Sequence, residues 1–398
     1  MTVATALPLV LMALAAFAAP ALARRLGAPS AVVEIALGVV LGRSGLDLVG
    51  ADAEPYLRFL ADVGFAVLLF LAGLEVDFRL LRAVRWRILL PIGGALTSFA
   101  IALAFGLRQG WSAWTALALS ATSVPLLVSI TREMGIGRTP MGQRMLITAA
   151  TGEVVTILLV AIAEVTHHAR DAMSFAVGVV RLVGLALVIH LGVRVLRAAL
   201  WWFPEIFAPI AAGIDTSEGT VRGGFALMFV MIGVALAAGI EPLLGAFFGG
   251  LMLAAVLGER HRLEEKLASM GYGFLVPIFF LHVGMRLSVG ADLLVRERVF
   301  LAEAVALMLG IKVLPQLVEL ARGRGIREVL GTGLLLAAPL TLVIAIADLG
   351  ARTGALTRDA ESVLVVAAIF ASILFPTLAR LVLRRQDRPQ ALSTSTPG

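Results

Sequence analysis

Ala118-Leu119-Ser120-Ala121-Thr122-Ser123-Val124-Pro125 lies inside one apolar run of the chain, and Ala337-Ala338-Pro339-Leu340-Thr341 lies inside another, the two prolines 214 residues apart. Proline removes a backbone N–H and clashes with the preceding turn, so each run reads as a helix interrupted near its centre. Hydroxyl and small residues flank both prolines, which lets a neighbouring backbone come close to the interruption. A pair of simple packing kinks is the plainer alternative. Matched positions in two halves of one chain favour the interrupted-helix reading.

Working outward, a shift of about 212 places lays five apolar segments in the first half over five in the second. Leu37-Gly-Val-Val-Leu-Gly42 falls near Leu253-Ala-Ala-Val-Leu-Gly258, and Phe70-Leu-Ala-Gly73 falls near Phe280-Leu-His-Val-Gly284. Thirteen apolar segments are expected in all, near 4–23, 29–43, 57–75, 88–107, 112–131, 143–165, 174–199, 221–240, 243–258, 268–286, 299–319, 328–349 and 361–383. Seven segments separate each matched pair, so the two copies run in opposite directions. The expected fold is an all-α membrane protein of about 13 transmembrane helices, with inverted five-helix repeats and crossing broken helices. Many secondary transporters have this architecture, and their broken helices leave mid-membrane carbonyls and amides that can replace an ion's water.

Composition agrees. Of the 398 residues 60% are hydrophobic and 15% charged, against about 25% charged in soluble domains. A spanning helix takes about 20 apolar residues. Cysteine is absent, which excludes disulfides, iron–sulfur ligation and thiol catalysis, and five scattered histidines show no metal spacing. No Walker A loop or zinc-binding helix is present, so neither an enzyme nor a cofactor is expected. The net charge of +6 resides in short loops rather than in a nucleic-acid-binding stripe. The chain has 31 arginines, two lysines and no asparagine, the usage expected of a GC-rich bacterial coding sequence. Taking alternate loops, 22 basic residues fall on one side and nine on the other. The richer side is cytoplasmic by the positive-inside rule, which places the N-terminus outside and the C-terminus inside the cell membrane. The first 23 residues carry no positive charge ahead of the apolar run and read as a helix rather than a signal peptide.

Two charges fall at the centres of apolar segments: Glu153 in the sixth and Lys312 in the eleventh. Such a residue costs about 2.5–3.5 kcal/mol on insertion scales and usually marks an ion path. The structural alternative is a buried ion pair. Ala149, Ala150 and Gly152 leave room for another backbone beside Glu153. A carboxylate there can be neutralised by a proton or by a hard monovalent cation, and that competition is the minimum chemistry of exchange. Thr122 and Ser123 are candidate oxygen ligands beside it, and Lys312 is a candidate charge partner. Pro125, Pro339 and Thr341 mark the breaks. Glu34, Asp62, Glu75, Arg181, His190 and His282 read as packing or snorkelling polar groups.

These residues resemble the monovalent cation:proton antiporter family, in the branch that includes potassium-efflux antiporters and sodium/proton exchangers. The likeness is carried by Arg25 to Gly42, Leu68-Leu-Phe-Leu-Ala-Gly73-Leu-Glu75-Val-Asp77, Ala121-Thr122-Ser123-Val-Pro125, Pro277-Ile-Phe-Phe-Leu-His-Val-Gly284, and Phe375-Pro376-Thr-Leu-Ala379-Arg380. It covers residues 4–384. It implies a homodimer, a scaffold of helices 1–3 and 7–10, and a mobile core of helices 4–6 and 11–13 that works by alternating access. It places Glu153 at the essential carboxylate and Lys312 at the core lysine, with a monovalent cation (Na+ or K+) and H+ as substrates. The chain departs from the family at Glu153, where Asp is usual, and at Gly152, where Asp, Asn or Gln is usual. Pro339-Leu-Thr341 also replaces the Gly-Glu-Phe of some relatives. Residues 385–398 are expected to be a disordered cytoplasmic tail, short for a nucleotide-binding domain. An organic-anion symporter of the same architecture, or a non-transporting membrane sensor, are the competing readings.

Overall fold

The computed structural model describes residues 3–42, 44–46, 53–76, 88–137, 139–169, 171–202, 218–256, 261–287 and 291–383. The loop arginines expected at Arg43, Arg79–Arg87, Arg138, Arg170 and Arg260, the motif residue Asp77, and the tail 385–398 lie outside them.

Among the described residues every regular element is helical. The first half runs through α1 (Val3–Leu26), α2 (Ser30–Leu41), α3 (Glu54–Leu74), α4 (Leu89–Arg108), the half-helices α5 (Ala113–Ser120) and α6 (Val124–Glu133), and α7 (Pro140–His168). Next come α8 (Ala172–Trp202), α9 (Gly219–Ala237), α10 (Pro242–Val256) and α11 (His261–Met270). A π-helical turn (Gly271–Leu275) joins α11 to α12 (Val276–Arg286). After the short α13 (Ala291–Arg296) come α14 (Arg298–Gln316), a 3-10 turn (Leu317–Arg322), the half-helices α15 (Ile326–Leu336) and α16 (Leu340–Arg352), and α17 (Arg358–Leu383). Each of the thirteen expected segments falls on helix. Among the described residues nine helical stretches are long and apolar enough to cross a bilayer, and α2, α9 and α10 are shorter apolar helices. The chain is thus a multi-pass membrane protein.

The inverted repeat is written into the packing. α2 lies on α12, and α3 lies on α10. At the first contact a Cβ on Gly38 would stand 2.1 Å from the Leu281 carbonyl oxygen, and one on Gly284 would stand 2.1 Å from that of Ile35. At the second a Cβ on Gly250 would stand 1.9 Å from the Phe70 oxygen, and one on Gly73 would stand 2.1 Å from that of Phe247. These are the same contact made twice: Gly38 corresponds to Gly250, and Gly73 to Gly284. The offsets are 212 and 211. The match of Leu37–Gly42 with Leu253–Gly258 is therefore out by about one helical turn, because two Leu-Gly-rich stretches look alike in any register four residues apart. Glycine is required here because backbone meets backbone, and removing water gives no driving force inside lipid beyond such close contact.

α1, α2, α3 and α8 to α12 pack among themselves, as do α4 to α7 and α14 to α17. Within the second group α4 crosses α14, where the Ser98 hydroxyl donates to the Ile311 carbonyl at 2.6 Å. α8 is nearly bare, with only 6% of its apolar window buried.

Gly250→Val drives a side chain into a carbonyl that cannot retreat, and is expected to cost about 3 kcal/mol or more. Gly223, on α9 with open space around its Cβ position, is the control, and Gly223→Ala is expected to be neutral or mildly stabilising. Thermal denaturation in detergent checks the pair.

Candidate functional site

The first interruption is a three-residue gap. α5 begins at Ser112, whose hydroxyl accepts from the Thr115 amide at 3.3 Å, and it stops at Ser120. Ala121 turns extended (φ −56°, ψ 156°), and helix resumes at Val124. Pro125 falls in the first turn of α6, where its missing N–H is no loss. The second interruption spans Ala337 to Pro339, with Pro339 at φ −90° and ψ 58° just before α16. In both halves the break lies before or at the proline, as the steric restriction on the residue preceding proline requires.

Each cut end exposes backbone groups that an intact helix would pair internally. The carboxyl end of α5 presents carbonyls and partial negative charge; the amino end of α6 presents amides and partial positive charge. The protein places a full charge of the opposite sign at each. Lys312, on α14 and 4% exposed, donates its ammonium to the Ser120 carbonyl and to Thr122 Oγ1, the latter at 2.8 Å. Glu153, on α7 and also 4% exposed, accepts the Val124 amide on Oε2 at 3.1 Å. Among the described residues no ion pair joins Glu153 to Lys312 or to any other base. The buried ion pair weighed as the structural alternative is therefore not formed. The two charges serve opposite ends of one cut helix.

The breaks meet each other. Ser123 Oγ and Thr341 Oγ1 are 2.8 Å apart, a hydrogen bond between residues 218 positions distant. Thr122 and Ser123, expected as cation ligands, are engaged respectively with Lys312 and Thr341. Gly152 faces Thr122, and a Cβ there would stand 2.9 Å from Thr122 Oγ1. The absence of a side chain at Gly152 is what lets Thr122 occupy this position and share the Lys312 ammonium.

A cavity of about 740 Å³ reaches Ser123 and Thr341 from the ends of α1 and α17, where Arg24 and Arg380 stand. Glu34 and Tyr272 also line it, and Glu153 does not.

The family described as sodium/hydrogen exchanger, transmembrane, matches residues 12–385. This chain belongs to that family. The exchanger-family chain is 29% identical to YjbQ of Bacillus subtilis, provisionally named a Na+/H+ antiporter, over 98% of its own length and 65% of that protein. It is 25% identical to GerN of Bacillus cereus, named a Na+/H+-K+ antiporter, over 93% of its own length and 94% of that protein. To KefC of Escherichia coli, a glutathione-regulated potassium-efflux system protein, it is 30% identical over 68% of its length and 43% of KefC. It thus spans less than two thirds of YjbQ and of KefC. The fold is that of MjNhaP1, the sodium proton antiporter of Methanocaldococcus jannaschii, with a TM-score of 0.60 at 15% identity over 95% of both chains.

Among the weaker sequence candidates, this exchanger-family chain buries His282 and Glu34 and leaves Arg181 and His190 exposed on α8. Arg181 lines a shallow cavity with Glu164, Asp171 and Glu241. Asp62 has a larger part than packing. It pairs with Arg352, which also pairs with Asp348, and Asp348 in turn accepts from Arg286 at 3.1 Å. The chain Asp62–Arg352–Asp348–Arg286 crosses from α3 to α16 to α12, with Asp348 1% exposed. Arg352 also lies over the Phe65 ring, 5.7 Å from its centroid. Asp348 was not singled out from the sequence. The signal was present: an acid inside an apolar helix, four residues before an arginine.

Lys312→Met leaves a buried carbonyl and a hydroxyl without their donor, at an expected cost of about 1–3 kcal/mol, and Thr122→Val about 1 kcal/mol. Glu153→Gln keeps an oxygen for the Val124 amide and is expected to change stability by less than about 1 kcal/mol. Thermal denaturation of the three variants checks the order, and a large loss for Glu153→Gln would show that its charge is paired.

Proposed function

We propose that this chain exchanges Na+ or K+ for protons by alternating access, with Glu153 as the group for which cation and proton compete. The observation that carries this reading is the carboxylate of Glu153, buried at a helix break, held by one backbone amide and, among the described residues, paired with no basic side chain. A buried carboxylate without a counter-charge is costly unless a proton or a cation neutralises it. Either one suffices, and both at once are excluded by charge. The relatives named for sodium, potassium and proton exchange support the same substrates.

Thr122 and Ser123 would lend hydroxyl oxygens to the cation when their present partners, Lys312 and Thr341, give way. Pro125, Pro339 and Thr341 shape the breaks that hold these groups at mid-membrane, and Gly152 keeps Thr122 within reach. Helices α4 to α7 and α14 to α17 are the moving core in this reading, sliding against a scaffold of α1 to α3 and α8 to α12, within thirteen crossings of a bacterial inner membrane. The N-terminus is outside and the C-terminus is cytoplasmic. The bare face of α8 is consistent with a homodimer or with lipid contact. An organic-anion symporter needs the amino end of α6 to receive the anion, and the acid Glu153 already stands there on the Val124 amide, where it would repel one. Cation exchange is the better fit.

One carboxylate trading one proton for one cation moves no net charge. In proteoliposomes with the membrane potential clamped, a Na+ or K+ gradient is expected to drive proton flux that does not depend on voltage, and Glu153→Gln is expected to abolish it. Flux that follows the voltage would reject the one-for-one ratio, and undiminished flux in Glu153→Gln would reject the site.

A further inference from the structure

The cavity that reaches Ser123 and Thr341 has an acid of its own. Glu34, on α2, lines it and is 4% exposed. Among the described residues its carboxylate has no hydrogen bond and no ion pair. Ser372, on α17 and 2% exposed, lines the same cavity, and among the described residues its buried Oγ also has no partner. Buried polar groups are nearly always paired, so two residues in the lining of one cavity whose oxygens lack partners point to something that pairs with both. Oxygen donors, one of them anionic, suit a hard monovalent cation. The rim is wrong for such an ion: Arg24 and Arg380 stand at the outer end. Glu34 is the acid among the lining residues and sits in the second turn of α2, whereas Arg24 and Arg380 stand in the last turns of α1 and α17.

We propose that Glu34 and Ser372 form a second cation site, a staging site for Na+ or K+ between the arginine rim and the breaks at Ser123 and Thr341. The inference rests on the exchange reading of Glu153. The site belongs to two different packed groups, Glu34 on α2 and Ser372 on α17, so it exists only while the cavity is open between them. It raises the concentration of cation next to Ser123 and Thr341, and it strips part of the ion's water before the ion reaches Glu153. The proton enters and leaves at Glu153 alone, so the exchange ratio is untouched.

The test uses the full chain in uniformly oriented proteoliposomes, with Na+ and K+ titrated separately at each face. Glu34→Gln is expected to raise the half-saturating cation concentration by roughly three- to tenfold, the scale on which charge in a cleft concentrates counter-ions. The rise should appear only at the face carrying Arg24 and Arg380, and should exceed any fall in maximal rate. Glu34→Asp should restore most of the affinity. An unchanged half-saturation, an equal shift at both faces, or failure of Glu34→Asp to recover any affinity overturns the staging site. So does complete loss of flux in Glu34→Gln, which would make Glu34 part of the exchange chemistry. Wild type measured beside Glu153→Gln separates the two readings: wild-type flux that Glu153→Gln abolishes leaves the exchange reading standing whatever Glu34 does, and a wild type without cation-driven flux removes both.

Discussion

A helix that stops halfway through a membrane leaves carbonyls at one cut end and amides at the other, with no water to receive them. The rest of the site is arranged around that requirement. Lys312 answers the carbonyl end of α5 and Glu153 answers the amide end of α6, each with a charge that complements the local dipole. Neither residue neutralises the other. Lys312 is spent on a carbonyl and a hydroxyl, which leaves the negative charge of Glu153 to be met by whatever ion is present. A structural demand and, in the proposed exchange, a transport capacity thus come from one pair of residues.

The packing of α2 on α12 and of α3 on α10 meets a different demand by a simpler route. Helices in lipid gain little from burying apolar surface against each other, so firm contact needs backbone approach. Gly38 on Gly284 and Gly250 on Gly73 provide it twice, at positions related by the internal repeat. The duplicated contact sets α2 against α12 and α3 against α10 with backbone on backbone.

Much of this was legible in the sequence because membrane interiors make exceptions conspicuous. Glu153, Lys312, Pro125 and Pro339 each break an apolar run, and the common offset of the two prolines exposed the repeat. The partners were not legible. Nothing in the spacing says that Lys312 bonds to Ser120, 192 residues away, or that Ser123 meets Thr341. Those contacts depend on how helices cross, and hydropathy carries no crossing angle. Asp348 was passed over and Asp62 read as packing for the same reason: their worth lies in arginines brought to them by tertiary packing. Ser372 is invisible as a sequence signal, since one serine in an apolar helix is unremarkable until its hydroxyl is found without a partner.

The ion-pair chain from Asp62 through Arg352 and Asp348 to Arg286 joins α16 to both α3 and α12, the two helices that the glycine contacts hold fixed. Any slide of α16 along that seam must undo charge pairs in series, so the resistance is spread over the stroke like the teeth of a ratchet rather than met at a single latch. Its height then depends on dissolved electrolyte at that face, because mobile ions screen exposed members such as Asp62 far more than the enclosed Asp348. Salinity at that face becomes a mechanical variable for the protein, separate from any part it has in the proposed exchange.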